Sequence, residues 1–153
     1  MADNKQYKNS SQYKYYRHRF IYYLICAFAF IVINTVTSMI LMISSNIGDD
    51  RLNNFFVVWI IVFPCMDIMF YTPFVIYHLI KIRRIANDVY KTRIATIVEI
   101  NKITYYKIGL CLSLESSSEL YDVVVYRRFS DEKQYRVVGS KINVLEGDNN
   151  ILL

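Results

Sequence analysis

Two long apolar stretches dominate the pattern of hydrophobic and polar positions along this chain. Phe20 to Ile43 runs for 24 residues without a charge, and Phe55 to Ile80 runs for 26 with a single acid, Asp67. At about 1.5 Å of rise per helical residue the shorter covers roughly 36 Å, against a bilayer hydrocarbon core of about 30 Å. Eleven residues, Ser44 to Asn54, join them, so residues 20–80 predict a hairpin of two transmembrane helices. A pair of core helices in a soluble protein is the alternative, but a 153-residue chain has little polar surface with which to enclose them. A cleaved signal peptide is not expected, because the first run is too long and no small-residue cleavage site follows it.

After the hairpin the period changes. Residues 81–93, KIRRIANDVYKTR, keep Ile82, Ile85 and Val89 at helical spacing, which predicts a helical connector that prolongs the second helix. Beyond it the residues are β-branched with period two. Ile94–Ile100 and Ile103–Leu112 read as strands, with a loop at Ser116–Ser118. Tyr121–Phe129 and Gln134–Val138 read as a hairpin around Ser130-Asp131-Glu132, and Ile142–Leu145 as a last strand closed by Gly147-Asp148-Asn149-Asn150. The fold class is therefore a membrane α-hairpin followed by a small cytosolic β-rich α+β domain over residues 94–153. So few strands in so short a segment are marginal alone, and the domain is expected to gain stability by self-association. It looks short for a complete closed barrel.

Charge sets the orientation. The N-terminal tail, residues 1–19, carries Lys5, Lys8, Lys14, Arg17 and Arg19 against Asp3. The joining loop carries Asp49, Asp50 and Arg51. Lys81, Arg83, Arg84, Lys91 and Arg93 follow the second run against Asp88. Basic outer flanks and an acidic short loop place both termini in the cytoplasm, for a multi-pass protein of the cell inner membrane. The net charge of +5 comes from these flanks, which suit anionic lipid headgroups. The tail reads as flexible, or as a short amphipathic helix on the membrane surface. Tyr13, Tyr15, Tyr16, Tyr22, Tyr23 and Tyr77 fit an interfacial aromatic belt. Cys26, Cys65 and Cys111 have neither pairing nor metal spacing, as in a reducing compartment.

Asp67 is the sharpest single residue. A carboxylate near mid-bilayer is costly and needs a partner, water or a proton. On a helix it shares a face with Pro64, Tyr71, Phe74 and His78, and antiparallel pairing brings it within a turn of Asn34. Either Asp67 and Asn34 are interhelical hydrogen-bond glue, or this face lines a pore once several hairpins assemble. Pro64 and Pro73 interrupt the second helix and suit two packings of a bundle. In the soluble part Arg127, Arg128, Lys133, Arg136 and Lys141 interleave with Tyr121, Tyr126 and Tyr135, and Tyr105 and Tyr106 lie on an earlier strand. Cations neutralise phosphates and aromatic faces stack on bases. The site expected from this pattern uses Arg127, Arg128, Lys133, Arg136, Tyr126 and Tyr135; the plainer reading is a solvated hairpin with ordinary strand tyrosines. With His18 and His78 in the tail and the membrane run, and no Gly-rich phosphate loop or nucleophile elbow, catalysis is not expected. Nor is a cofactor or metal.

A membrane hairpin followed by a small cytosolic domain resembles, in layout and size, the two-helix membrane effectors of type III CRISPR defence. The resemblance rests on no diagnostic motif. It implies that the C-terminal domain binds cyclic oligoadenylate, that the protein is a homo-oligomer in contact with membrane lipid, and that ligand binding disrupts or permeabilises the membrane. DNA is not an expected partner. The layout also resembles membrane-anchored β-barrel effectors of cyclic-dinucleotide defence. Two rivals come from other classes: an NfeD-type membrane scaffold without a small ligand, and a membrane toxin held by a protein antitoxin.

Overall fold

A computed structural model describes residues 6–44, 50–115, 117, 119–130, 132–148 and 150–153. Asp3 and Lys5 of the tail, Asp49 of the joining loop, Ser116, Ser118, Asp131 and Asn149 lie outside the described residues, as do the side chains of Asp50, Arg51 and Glu132. The chain divides into two compact units: residues up to His18 together with Ile80–Leu153, and Arg19–Leu79.

The second unit is the hairpin. Helix α1 spans Ser11–Ser44 and α2 spans Asp50–Ala86, and both are long and apolar enough to cross a membrane. Their apolar side chains are not spent on an internal core. Phe28, Ile43 and Met69 are 70, 81 and 75 % exposed, unlike the buried apolar side chains of a core helix. Helix α2 runs unbroken through Pro64 and Pro73, so neither proline interrupts it. It does extend past the apolar run, as the spacing of Ile82 and Ile85 predicts, but it ends at Ala86 rather than at residue 93. Asn87 N–H closes the last turn on Arg83 O at 2.9 Å, and Lys91 already opens a strand. Val89, between the end of α2 and that strand, is β-branched and fits a helical stripe and a strand equally well.

The first unit is a five-stranded antiparallel barrel, nearly closed. The strands are β1 (Lys91–Ile103), β2 (Lys107–Leu114), β3 (Leu120–Tyr126), β4 (Lys141–Glu146) and β5 (Ile151–Leu152), in the spatial order β3-β2-β1-β4-β5. The run 4-1-2-3 within that order is a Greek key, and a five-stranded, partly open Greek-key barrel is the layout of OB folds. Strand β2 shows why the sheet has an inside: Ile108, Leu110, Leu112 and Leu114 are buried, while Lys107, Gly109, Cys111 and Ser113 take the other face. Ala95, Ile97, Val123, Val125, Ile142, Val144 and Tyr135 complete the core. Strand β1 serves both flanks by bending. It pairs with β4 through its first half and with β2 from Ala95 onward, and Val98 and Asn101 are the extra residues of two bulges.

The 127–140 segment corrects the expected hairpin. Residues 127–129 and 132–135 form 3-10 turns, and no strand occurs at 134–138. Tyr135 explains the change: it is 9 % exposed and belongs to the core, so the segment folds inward to bury a ring instead of alternating along a strand.

The tail is not a free arm. Ser10 caps α1, with its Oγ accepting from Tyr13 N–H at 3.3 Å while its carbonyl takes the first helical bond from Lys14 N–H. Ser11 and Gln12 then fill the gap between β3 and β5, which approach without pairing. The Gln12 amide donates to Val124 O at 3.0 Å and accepts from Leu153 N–H at 3.0 Å. Ser11 N–H donates to Leu153 O, and Ser11 Oγ accepts from Tyr126 N–H. Near the end of α2, Asp88 plays the matching part. It is buried and accepts from Asp148 N–H, Val89 N–H and the Asn150 amide. Gly147 is required beside it, since a Cβ there would lie 2.5 Å from Asp88 Oδ2.

Gln12→Ala is expected to leave Val124 O and Leu153 N–H without partners and to lower the stability of the barrel by about 1–3 kcal/mol. Gln12→Glu should do at least as much, because a carboxylate cannot donate to Val124 O. Thermal melting in detergent, monitored at the β-sheet amide band, checks both. Tyr90→Phe should move the other way: the buried Tyr90 hydroxyl has no hydrogen-bond partner among the described residues, so removing it should stabilise by about 1 kcal/mol. Burial, then the Asp88 carboxylate and Tyr7, holds that phenol above the ordinary tyrosine range. The fold favours the protonated phenol, so stability is at its plateau below about pH 10 and falls as pH rises past it, where an unfolded tyrosine ionises. The Phe variant should lose that part of the alkaline slope.

Candidate functional site

The barrel unit holds a cavity of about 820 Å³ beside the β3–β5 gap. Gln12 and Tyr16 of the N-terminal segment line it, as do Tyr121, Val124 and Tyr126 of β3. Cations come from two places: Lys81 and Arg84 on the last turns of α2, and Lys91 and Arg93 at the start of β1. Ile85, on the same helical turns, is buried, so packing of this apolar residue fixes the turn that presents Arg84. The lining also contains Asp122, Glu146 and Asp148. Arg93 Nε meets Glu146 Oε2 at 3.1 Å, both side chains partly exposed, and Asp122 Oδ1 accepts from the Asn101 amide at 2.9 Å. Asp122 and Glu146 thus each have a partner, and Lys81, Arg84 and Lys91 line the same cavity and give it a basic side. The volume is that of a small-molecule pocket, typically about 300–1,000 Å³. With cations on one side and tyrosine rings on another, it has the chemistry to hold an anion that carries a flat ring.

Tyr126 is the one residue of the sequence-derived ligand set that lines this cavity. Its ring is stacked on Tyr15 at 3.7 Å and 6°, with Tyr16 edge-on at 6.1 Å. Tyr135 is in the core and presents no face to a base. Arg127 holds the β1–β2 turn: its N–H donates to Tyr106 O at 3.1 Å and its Nη1 to Thr104 O at 3.0 Å. Arg128, Lys133 and Arg136 are exposed and none of them lines the cavity. Lys141 is paired with Glu115 at 2.7 Å. Tyr105 and Tyr106 stand out on the turn after β1, 82 and 70 % exposed.

The sequence assigns Lys81, Arg84, Lys91 and Arg93 to lipid, and Tyr15 and Tyr16 to the aromatic belt. The barrel gathers five of these six around one space and stacks the sixth, Tyr15, on Tyr126 at its rim. The N-cap serines before α1 are the legible signal that the tail is a built element.

Within the hairpin unit the Asn34 amide donates to Asp67 Oδ2 at 2.7 Å. Ser38 Oγ donates to Asn34 O at 2.7 Å, so the residue that carries the amide is itself anchored. Tyr71 lies against Phe30 at 5.8 Å, and Tyr23 against both Phe74 and His78 at 5.3 Å. This is the glue arrangement, formed inside one hairpin. Pro64 takes no part in it.

Among the described residues, no three or more His, Cys, Asp or Glu side chains are grouped so as to hold a metal ion. Comparison with protein-family models, curated proteins and solved structures finds no match for the chain.

Asp67→Leu should weaken association of the two helices by about 0.6 kcal/mol, and by no more than about 1.7. Asp67→Asn keeps an acceptor for the Asn34 amide and should stay close to the native protein. Steric trapping or unfolding in mild detergent reads the difference.

Proposed function

We propose that this chain is a membrane effector of antiviral defence, activated by a nucleotide messenger of the cyclic oligoadenylate class. Helices α1 and α2 span the inner membrane with both termini in the cytoplasm, and the cytosolic barrel receives the messenger. The observation that carries this reading is the cavity beside the β3–β5 gap, where Lys81, Arg84 and Lys91 meet Tyr16, Tyr121 and Tyr126. Phosphates go to the cations and a purine to the tyrosine side. A ring of several nucleotides is larger than one such cavity accommodates, and symmetric copies would share it. The unburied apolar faces of α1 and α2 give the copies and the lipid a surface to act on. Occupancy shifts the assembly only by the difference in affinity between its two states, and the output is loss of the membrane barrier.

An NfeD-type scaffold is the second reading. Its support is the cavity's own acids, Asp122, Glu146 and Asp148, which offset part of the positive charge.

Binding of cyclic tri-, tetra- and hexa-adenylate and of cyclic dinucleotides to the full chain in nanodiscs separates the two. The effector binds one ring size in the submicromolar range. Lys81→Glu, Arg84→Glu and Lys91→Glu should each weaken it roughly tenfold or more, as expected for loss of a charge-assisted phosphate contact. Arg128→Glu with Arg136→Glu should leave it within about threefold, since neither residue lines the cavity and their charges reach it only through screened solvent. If the second pair abolishes binding and the first three do not, the exposed 127–136 cations are the site. A folded protein that binds none of these compounds is the scaffold.

A further inference from the structure

We propose that Ser10–Tyr16 is an autoinhibitory latch: it closes the β3–β5 gap in the resting protein and leaves when the messenger enters the cavity. The proposal rests on the ligand site of the preceding reading and adds its regulation.

Three observations converge on this segment. First, Tyr15 covers Tyr126 in the geometry a nucleobase would adopt on that ring, parallel to within 6° at 3.7 Å. A base that stacks on Tyr126 from the same side must displace Tyr15. Second, Gln12 and Tyr16 line the cavity themselves, so an occupant touches the segment directly. Third, the gap is closed by a few side-chain bonds and one backbone bond, Ser11 N–H to Leu153 O, rather than by a strand ladder. Gln12 and Ser11 hold Val124, Tyr126 and Leu153 through a few hydrogen bonds, whereas β3 and β5 keep their full pairing to β2 and β4 without them. The latch can therefore open while the sheet survives. Its exposed Lys14, and Arg17 one residue beyond it, stay attracted to an anionic ligand as it enters.

The latch is also the first turn and a half of α1, one uninterrupted helix to Ser44. Its release changes the start of a membrane-length helix without breaking any bond in the barrel's core.

The test uses the full chain reconstituted in dye-loaded liposomes. Tyr15→Ala removes the covering ring; Tyr15→Phe keeps it. The Ala variant should release dye without messenger and bind the messenger roughly two- to tenfold tighter, the worth of one aromatic stack. The Phe variant and the native chain should stay silent until messenger is added. A folded Ala variant that stays silent overturns the latch. If the native chain still answers the messenger in that case, the effector reading survives alone. Release by the Ala variant from a chain that no cyclic nucleotide activates keeps the latch and rejects the messenger class.

Hydrogen exchange on the native chain decides the matter if the Ala variant fails to fold. The amides of Tyr126 and Leu153 are bonded to Ser11 Oγ and Gln12 Oε1, so they report the latch specifically. Faster exchange with bound messenger is the expected result. Slower exchange, or none of the change at these two amides, overturns it.

Discussion

The barrel lacks one ladder of hydrogen bonds, and much of the rest follows from that lack. Five strands give four pairings, and the fifth, between β3 and β5, is not made. An open gap of this kind exposes carbonyls and amides that must find partners. β5 is two residues long, and both pair with β4, so β3 gains no ladder from it. A single glutamine amide, with one donor edge and one acceptor edge, serves both lips of the gap because Val124 offers a carbonyl and Leu153 an N–H. No apolar residue could do this, and neither could Glu or Lys, each of which has only one kind of group. The N-terminal segment is thus a structural part of a domain that begins some 70 residues later in the chain, and the cavity beside it exists because the gap is bridged at one place rather than zipped along its length.

The hairpin obeys the opposite rule. Its apolar side chains face outward and its few polar ones face each other. The Asn34 amide bonds across to Asp67, and Ser38 bonds back to Asn34 O within α1. In lipid this is the economical solution, because there is no hydrophobic drive between apolar helices and a polar contact supplies specificity. It also weighs on the pore alternative. An Asp67 already engaged by Asn34 within its own hairpin is a poor candidate for lining water, unless assembly first breaks that bond.

Legibility tracked the range of the interactions. The two apolar runs, the β2 alternation and the Asn34–Asp67 pairing are set by spacings of a few residues or by the geometry of one hairpin, and all are readable from the chain. The end of α2 was not, because Val89 fits a helical stripe and a strand equally well; Asp88, held by the 147–150 turn, decides it. The 134–138 strand failed for the same reason. Tyr135 has a strand-former's side chain, but the core needed its ring. The site fared worst. Its cations look like ordinary juxtamembrane charge, and its tyrosines like a membrane belt, until Gln12 is seen bonded to residues more than a hundred positions away. No local pattern encodes that separation.

The position of the cavity has a consequence for how such a protein could work. A ligand held only by the strands would be felt by the barrel alone, whose core of Leu, Ile and Val is close-packed and resists small displacements. A ligand at the gap meets elements with far less at stake: the first turns of α1, the last turns of α2 and the start of β1. Those are the places where the chain passes from the barrel unit to the hairpin unit. Binding energy deposited there acts beside both of the barrel's covalent connections to the apolar helices. The exposed cations Arg128, Lys133 and Arg136 lie outside that cavity. Their segment meets α1 through Phe129, which lies 6.5 Å from Tyr15 and 5.6 Å from His18, so binding there would bear on α1 through one ring, without the cations at the end of α2.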